Sequence, residues 1–421
     1  MNQPARPMSR RCPWRHALAA LLLVLCAGSF AAAQPVVDRP PTYQGILDDG
    51  SLYAIWMPDE WNGSLVLYAH GIVEPFRPVA IPTTQDAFYV YRDAWLDRHF
   101  AVAASSYAET GWALDSAVKS THQLRAVFTD VAGKPQRTFL VGHSLGSLAA
   151  AKLVEQHGSQ YDGAMPMCGL LGGARLQIEY GRDARLLFDY FFPGVLPGTV
   201  FDVPVLPPAQ IGALTQAAAQ AAAAGFITGN PAQQAQTLQW LWTSGASVLP
   251  FGPPYPPSLT VASIATTAGY AAGYSLTFTN DVLARVGDRI PVDNTTTVYD
   301  GSFDDERLNA TIARYDDEPP AVAYFRRLYE TTGRIGTKVL ALHTRWDPAV
   351  PAAHEAVYAE KVAAAGRADQ LVQRVYPAYG HCDPEMFGTA PYDPAFIAAT
   401  LADFDSLVTW ASGGPKPPPL P

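Results

Sequence analysis

The sequence predicts an α/β protein, built on a mostly parallel, doubly wound sheet with one large inserted cap. Three observations carry this. Continuous apolar runs alternate with helical stretches up to about residue 175, the alternation stops until about residue 330, and it resumes at Lys338. Runs that are apolar on both faces suit strands covered by helices on each side, the habit of parallel sheets. At 421 residues, 48% hydrophobic and 16% charged, the chain is long and apolar enough for a large core.

The elements follow in order. Tyr43–Leu47 and Leu52–Trp56 flank the turn Asp48-Asp49-Gly50, a hairpin pattern. A polar loop, Asp59–Ser64, precedes the buried run Leu65–Ala69. A helix from about Gln85 to Arg98 leads to the run Phe100–Ala104, and one from about Ala113 to Val131 leads to Thr138–Val141. An apolar helix to about Gln156 and the strand Asp162–Met167 come next. The insertion, 175–330, has another texture, with an Ala-rich helix near Ala213–Ala224 and the cluster Pro253-Pro254-Tyr255-Pro256-Pro257. It is read as a cap over the C-terminal edge of the sheet. The strand Lys338–Leu342, a helix near Ala352–Ala364, the strand Leu371–Tyr376 and a helix near Pro394–Trp410 complete the alternation. The expected divisions are 1–33, 34–174, 175–330, 331–412 and a disordered Pro-rich tail, 413–421.

Residues 1–33 read as an export signal. Arg6, Arg10, Arg11 and Arg15 form a positive start, Ala17–Phe30 is apolar, and Ala31-Ala32-Ala33 supplies small residues before Gln34. The apolar run is shorter than the roughly 20 residues of a spanning helix, so no stable membrane anchor is expected. Ser9-Arg10-Arg11 leaves twin-arginine export open. The protein is therefore expected outside the cytoplasm, secreted or periplasmic. Cleavage near Ala33-Gln34 leaves two cysteines, Cys168 and Cys382. The net charge of −9, with no basic block after residue 15, argues against nucleic acid as a partner.

Gly142-His143-Ser144-Leu145-Gly146 carries the chemistry. G-x-S-x-G between a buried strand and a helix is the pattern of a sharp turn that pushes a serine hydroxyl out of the sheet. That hydroxyl needs a base, itself oriented by a carboxylate. On such an elbow the partners follow in the order serine, acid, histidine, each just past a strand. Asp347 and His381 each lie five residues beyond a strand and satisfy that order. The plain alternatives are a helix cap for Asp347, before Pro348, and an ordinary loop histidine for His381. Asp383, Asp304 and Asp305 are rival acids; the first is too near His381 in sequence and the other two lie in the cap. The oxyanion requires backbone N–H donors, for which Leu145 and Ile72 are the candidates. Ile72 sits in His70-Gly71-Ile72-Val73, after the Leu65–Ala69 strand, where His70 is read as a structural buttress.

Ser144, Asp347, His381 and His70-Gly71, in this order on these elements, resemble the α/β-hydrolase superfamily over about 43–175 and 335–412. The resemblance implies the α/β-hydrolase fold, with Ser144 as nucleophile, Asp347 as orienter and His381 as general base and then acid. His381-Cys382 is also similar to tannases and feruloyl esterases, where a cysteine after the histidine is bonded to one directly before the nucleophile. This chain departs from that pattern, because His143 holds the latter position. Cys168, at the end of the next strand on the same edge, is the expected partner of Cys382; two buried free thiols are the alternative.

The fold leaves the substrate open. The cap aromatics Phe191, Phe192, Trp240, Trp242, Phe251 and Tyr255 suggest an apolar pocket roof, or simply the cap's own core. No Cys/His spacing marks a metal, Asp300, Asp304 and Asp305 fit no calcium loop, and no cofactor is expected. The expectation is a hydrolase of small-molecule or polymeric carboxylic esters with an apolar or aromatic part. A peptidase of the same fold is the alternative, its substrate amine held by Asp304, Asp305 or Glu306. A non-catalytic binding protein is a third.

Overall fold

A computed structural model describes residues 39–82, 88–382 and 393–420. The expected export signal, Asp383 and the first residues of the helix expected from Gln85 lie outside the described residues.

Eight strands form one sheet: β1 (Tyr43–Ile46), β2 (Leu52–Trp56), β3 (Ser64–Ala69), β4 (Ala101–Ser105), β5 (Arg137–His143), β6 (Gly163–Met167), β7 (Lys338–Trp346) and β8 (Leu371–Tyr379). Their order is β1-β2-β4-β3-β5-β6-β7-β8. The β1–β2 and β2–β4 pairs are antiparallel, and every other pair is parallel. The mostly parallel, doubly wound sheet expected from the sequence is therefore present.

Side chains of β3 divide by period two. Val66 and Tyr68 enter a core layer with Phe88 and Trp95 of α1 (Phe88–Asp97) and Phe404 and Trp410 of α11 (Pro394–Ala411). Leu65 and Leu67 face the other way, toward Phe128 of α2 (Leu114–Ala132), Leu153 of α3 (Leu145–His157) and Tyr358 of α10 (Ala353–Ala364). A strand loaded on both faces in this way must be central, which is why its sequence reads as one apolar run. Residues 413–420 continue past α11, with Lys416 Nζ 5.7 Å from the centre of the Trp410 ring and donating to Ala368 O at 3.0 Å.

Between β6 and β7 lie six helices: α4 (Ala174–Phe191), α5 (Pro208–Thr228), α6 (Pro231–Ser244), α7 (Pro257–Arg285), α8 (Asp305–Thr311) and α9 (Pro319–Leu328). The α5–α6 corner is set by Gly229 in the left-handed region (φ 72°), then Asn230, whose side chain accepts from Ala232 N and Gln233 N, then Pro231 at the first helical position. Trp240, Phe188, Phe192 and Ile264 close a separate core within this cap. The longest helix, α7, crosses the C-terminal edge of the sheet. Near one end, Tyr379 Oη of β8 donates to Ser263 O (3.0 Å) and meets Thr267 Oγ1 (3.0 Å). Near the other, Asp281 Oδ2 accepts from Trp112 N (2.6 Å) and Arg285 donates to Thr110 O (3.0 Å) in the loop after β4. From Thr267 to Asp281 the helix rises about 21 Å. The five inter-strand gaps from β8 to β4 span about 24 Å, so one helix suffices as a beam.

Two glycines set the approach of α3 to the sheet. A Cβ on Gly146 would lie 2.0 Å from Ala69 O and 2.5 Å from His70 O, both backbone atoms of the β3 edge. A Cβ on Gly142 would lie 2.3 Å from Gly146 O. Neither neighbour can give way without moving a strand or a helix. Gly146→Ala should therefore cost about 3 kcal/mol or more in denaturant unfolding. A loss below about 1 kcal/mol would mean that α3 can slide off β3.

Candidate active site

Ser144 stands between β5 and α3 with φ 53° and ψ −121°, a conformation that L side chains adopt only under strain. Its N–H donates to Met167 O on β6 (3.0 Å), which anchors the turn to the neighbouring strand. Ser147 adds a second anchor that the motif did not reveal: its Oγ accepts from Met167 N (2.9 Å) and lies 2.7 Å from Gly142 O. The elbow is thus tied to β6 from both sides.

Asp347 lies past the end of β7, fully buried, and its two oxygens do different work. Oδ1 accepts from Ala349 N (2.8 Å) and Val350 N (2.9 Å), closing a tight turn between β7 and α10. Oδ2 accepts from His381 Nδ1 at 2.7 Å. The helix-cap reading does not hold, since α10 begins only at Ala353 with Ala352 as its cap and no side-chain cap bond; Oδ1 closes a tight turn instead, and Oδ2 makes the orienting contact. Burial pushes this carboxyl up, but the His381 imidazole and the hydrogen bonds from His343 and His381 outweigh it and hold it well below the usual carboxylate range. With Nδ1–H directed at Asp347, His381 keeps Nε2 as its acceptor nitrogen.

Ser144, Leu145, Ile72 and His381 all border one cavity of about 660 Å³. Leu145 is the first residue of α3, where backbone N–H groups have no partner within the helix. His70 is buried and stacked on Tyr107, ring centres 3.8 Å apart, and Tyr107 Oη donates to His70 O (2.9 Å). These contacts hold the loop that presents Ile72.

The expected Cys168–Cys382 disulfide is formed, with Cα atoms 5.6 Å apart. Both cysteines, like Ser144, have positive φ (46° and 50°). His143, in place of the cysteine of the resembled pattern, meets His381 O through Nε2 at 2.6 Å. Thr344 Oγ1 donates to Gly380 O. The histidine loop is thus pinned to β5, β6 and β7 together. Cys168, His343 and Asp347 bring potential ligand atoms within 4.8 Å of one another, but the Cys168 sulfur is spent in the disulfide, leaving too few donors for a metal.

Of the two readings of the cap aromatics, the core holds for three of the six and the pocket roof for none, since none of the six lines the cavity. Phe191, Phe192 and Trp240 belong to the cap's own core, Trp242 and Phe251 are exposed, and Tyr255 packs on Trp346 at 5.6 Å. The roof is made instead by α7 and α5, through Gly269, Gly273, Tyr274 and Phe278 opposite Ile211, Thr215 and Ala219, with Trp112 at the β4 side. The rival acids are also elsewhere. Asp304 caps α8 by accepting from Arg307 N (3.0 Å), and Asp305 accepts from Ser302 N (2.8 Å). Neither these nor Glu306 borders the cavity; among the described residues the acid that does is Glu74, paired with Arg77 at 2.8 Å.

Two buried histidines behind Asp347 escaped the sequence reading. His343 of β7 faces Glu355 Oε1 (3.3 Å) through Nδ1 and Val350 O (3.0 Å) through Nε2. Burial opposes its charge, but hydrogen bonds to Asp347 and Glu355 win and push it up to about 10. His354 of α10 accepts from Gly172 N (3.1 Å) and contacts Gln177 Oε1 (3.3 Å). Burial and the nearby His343 charge push it down to about 3. A histidine in a buried strand four residues before the acid was the available signal for the first.

No protein-family model matches the sequence, and no curated protein matches it either. Solved structures do match in fold. Feruloyl esterase B from Aspergillus oryzae superposes with a TM-score of 0.50 at 15% identity, over 89% of this chain and 81% of that one. Lipase A from Candida antarctica follows at 0.46 and 13%, over 90% and 79%, and proline iminopeptidase from Mycobacterium smegmatis at 0.40 and 14%, over 87% and 100%.

The two histidines make stability fall on both sides of neutrality. His354 binds its proton in the unfolded chain at about 6.5 but only near 3 when folded, so its contribution, present above 6.5, is lost as pH falls toward 3. His343 is the reverse: its contribution is present below 6.5 and lost as pH rises toward 10. Denaturant midpoints should therefore peak between pH 6 and 7.5 (roughly, from the unperturbed histidine value). His354→Gln should flatten the acid side alone; an unchanged acid slope would show that His354 is not held neutral. The topology, the elbow and the superposition on feruloyl esterase B together establish that this chain has the α/β-hydrolase fold.

Proposed function

We propose that this chain is an exported serine hydrolase that cleaves carboxylic esters with an apolar or aromatic part through an acyl-enzyme. One observation carries the reading. A buried carboxylate orients His381 at 2.7 Å, and His381 and a strained Ser144 border the same roofed cavity. In the proposed sequence His381 Nε2 takes the Ser144 proton as Oγ attacks the ester carbonyl. The oxyanion is held by the N–H groups of Leu145 and Ile72, the first aided by the positive end of α3. The imidazolium then gives its proton to the departing alcohol, and water, activated by the same nitrogen, releases the acid.

The lining supports the substrate class. Apolar and small side chains dominate it, and none of Asp304, Asp305 and Glu306, the acids expected to hold a substrate amine, lines it. That favours an ester over an amino-terminal peptide. The disulfide supports export to an oxidising compartment. Among the described residues no helix is long and apolar enough to cross a membrane.

A panel of p-nitrophenyl esters against aminoacyl-naphthylamides tests the reading. Esters should be turned over and amides not, and Ser144→Ala should lose about a thousand-fold or more in kcat/KM. Turnover unaffected by that change would end it. Gly269 probes the roof, because a Cβ there meets Thr215 Cγ2 at an ordinary 3.6 Å and a longer side chain grows into the cavity. Gly269→Leu should lower kcat/KM for octanoate esters about ten-fold while leaving acetate within about two-fold. Equal loss on both would place the acyl group elsewhere.

A further inference from the structure

Among the buried titratable groups that the mechanism above leaves unused, His343 touches Asp347 from behind. His343 and Glu355 are 0% and 4% exposed. His343 Nδ1 faces Glu355 Oε1 at 3.3 Å, while Nε2 faces Val350 O at 3.0 Å and Asp347 Oδ2 at 3.5 Å. With the Glu355 and Asp347 carboxylates ionised, both ring nitrogens meet oxygens that only accept. A neutral imidazole has one donor and one acceptor nitrogen, so either tautomer would set a lone pair against an oxygen. The imidazolium satisfies both positions.

Its surroundings suit that charge. Glu355 is fixed in turn by Gln373 Nε2 of β8 at 2.6 Å from Oε2. His354 on α10 is held neutral. Tyr180 of α4 and Tyr379 of β8 feel Asp347 but are pushed up, first by burial, and stay neutral phenols. Cys168 does not titrate, being in the disulfide. His343 therefore carries the one cation among the groups packed on Asp347 other than His381 itself.

We propose that His343, as a permanent imidazolium between Glu355 and Asp347, is a positioning residue for the triad acid. It rests on the reading of Ser144, His381 and Asp347 as a triad. It acts in two ways. Its bond to Val350 O fixes the turn whose Val350 N–H holds Asp347 Oδ1, so the carboxylate cannot rotate away from His381. Its charge also competes with His381 for Asp347 Oδ2. Without it the carboxylate stabilises protonated His381 more strongly, and the inactive, protonated base persists to higher pH.

Selective ¹⁵N-histidine labelling of the intact protein reads the charge directly. One imidazole should keep both nitrogens protonated up to about pH 8.5, and that signal should vanish in His343→Gln. A neutral ring at pH 8 would overturn the proposal, whether or not the variant folds. In the variant the acid limb of kcat/KM for p-nitrophenyl butyrate should move up by about 0.5 pH unit or more, and kcat should fall about ten-fold with KM within about two-fold. A lower melting temperature with an unmoved acid limb and kcat would leave His343 a purely structural residue. Ser144→Ala run in parallel separates the two claims: if it stays active, the triad reading itself has failed.

Discussion

At Gly146 the helix after Ser144 rests on bare backbone, where even a methyl group would fall 2.0 Å from Ala69 O. Everything at the site depends on that contact. It lets α3 begin directly above β3, so Leu145 and the Gly71-Ile72 loop border one cavity. It also forces the β5–α3 turn to be abrupt, which is why Ser144 has φ 53°. The cost of that conformation is borne by the ties to β6, through Ser144 N–H, Ser147 and the strand pairing of His143 with Met167.

Asp347 and His381 are fixed by a different logic. Neither sits on a strand within the regular ladder; both ride on loops beyond β7 and β8, which are free to move unless tied down. Asp347 is tied by its own turn. His381 is tied three times, by the disulfide next to it, by His143 to its carbonyl and by Thr344 to Gly380. The departure at His143 thus keeps the connection between nucleophile elbow and histidine loop, with a hydrogen bond where the resembled pattern has a covalent one. The cap joins the same framework, since Tyr379, two residues before His381, is held by α7. That helix also holds Trp112 beyond β4. The cavity roof and the loop that carries His381 are therefore parts of one braced arch.

Much of this could be read from the sequence because it follows from strong local rules. Strands buried on both faces, such as β3, leave continuous apolar runs, and an elbow needs small residues at 142 and 146 whatever surrounds it. The rest depends on partners remote in sequence. Helix α7 mixes Ala, a strong helix former, with Thr and Gly, which are weak ones, and its place is set by a remote partner, since Gly269 and Gly273 let it lie close on Thr215 of α5. The named cap aromatics left roof and core as open alternatives, because which face of the cap meets the cavity is set by partners remote in sequence; the roof comes from Gly269, Gly273, Tyr274 and Phe278 of α7. His343 was passed over because a histidine inside a strand reads as filler until Glu355 and Asp347 are seen on either side of it.

The central claim is that one serine of this chain is activated by one histidine. Labelling the folded protein with a fluorophosphonate and mapping the adduct by peptide mass spectrometry tests it most directly. The account predicts a single adduct on Ser144, with labelling at least about a hundred-fold slower in His381→Ala. An adduct on another residue, or equal labelling without His381, would contradict it.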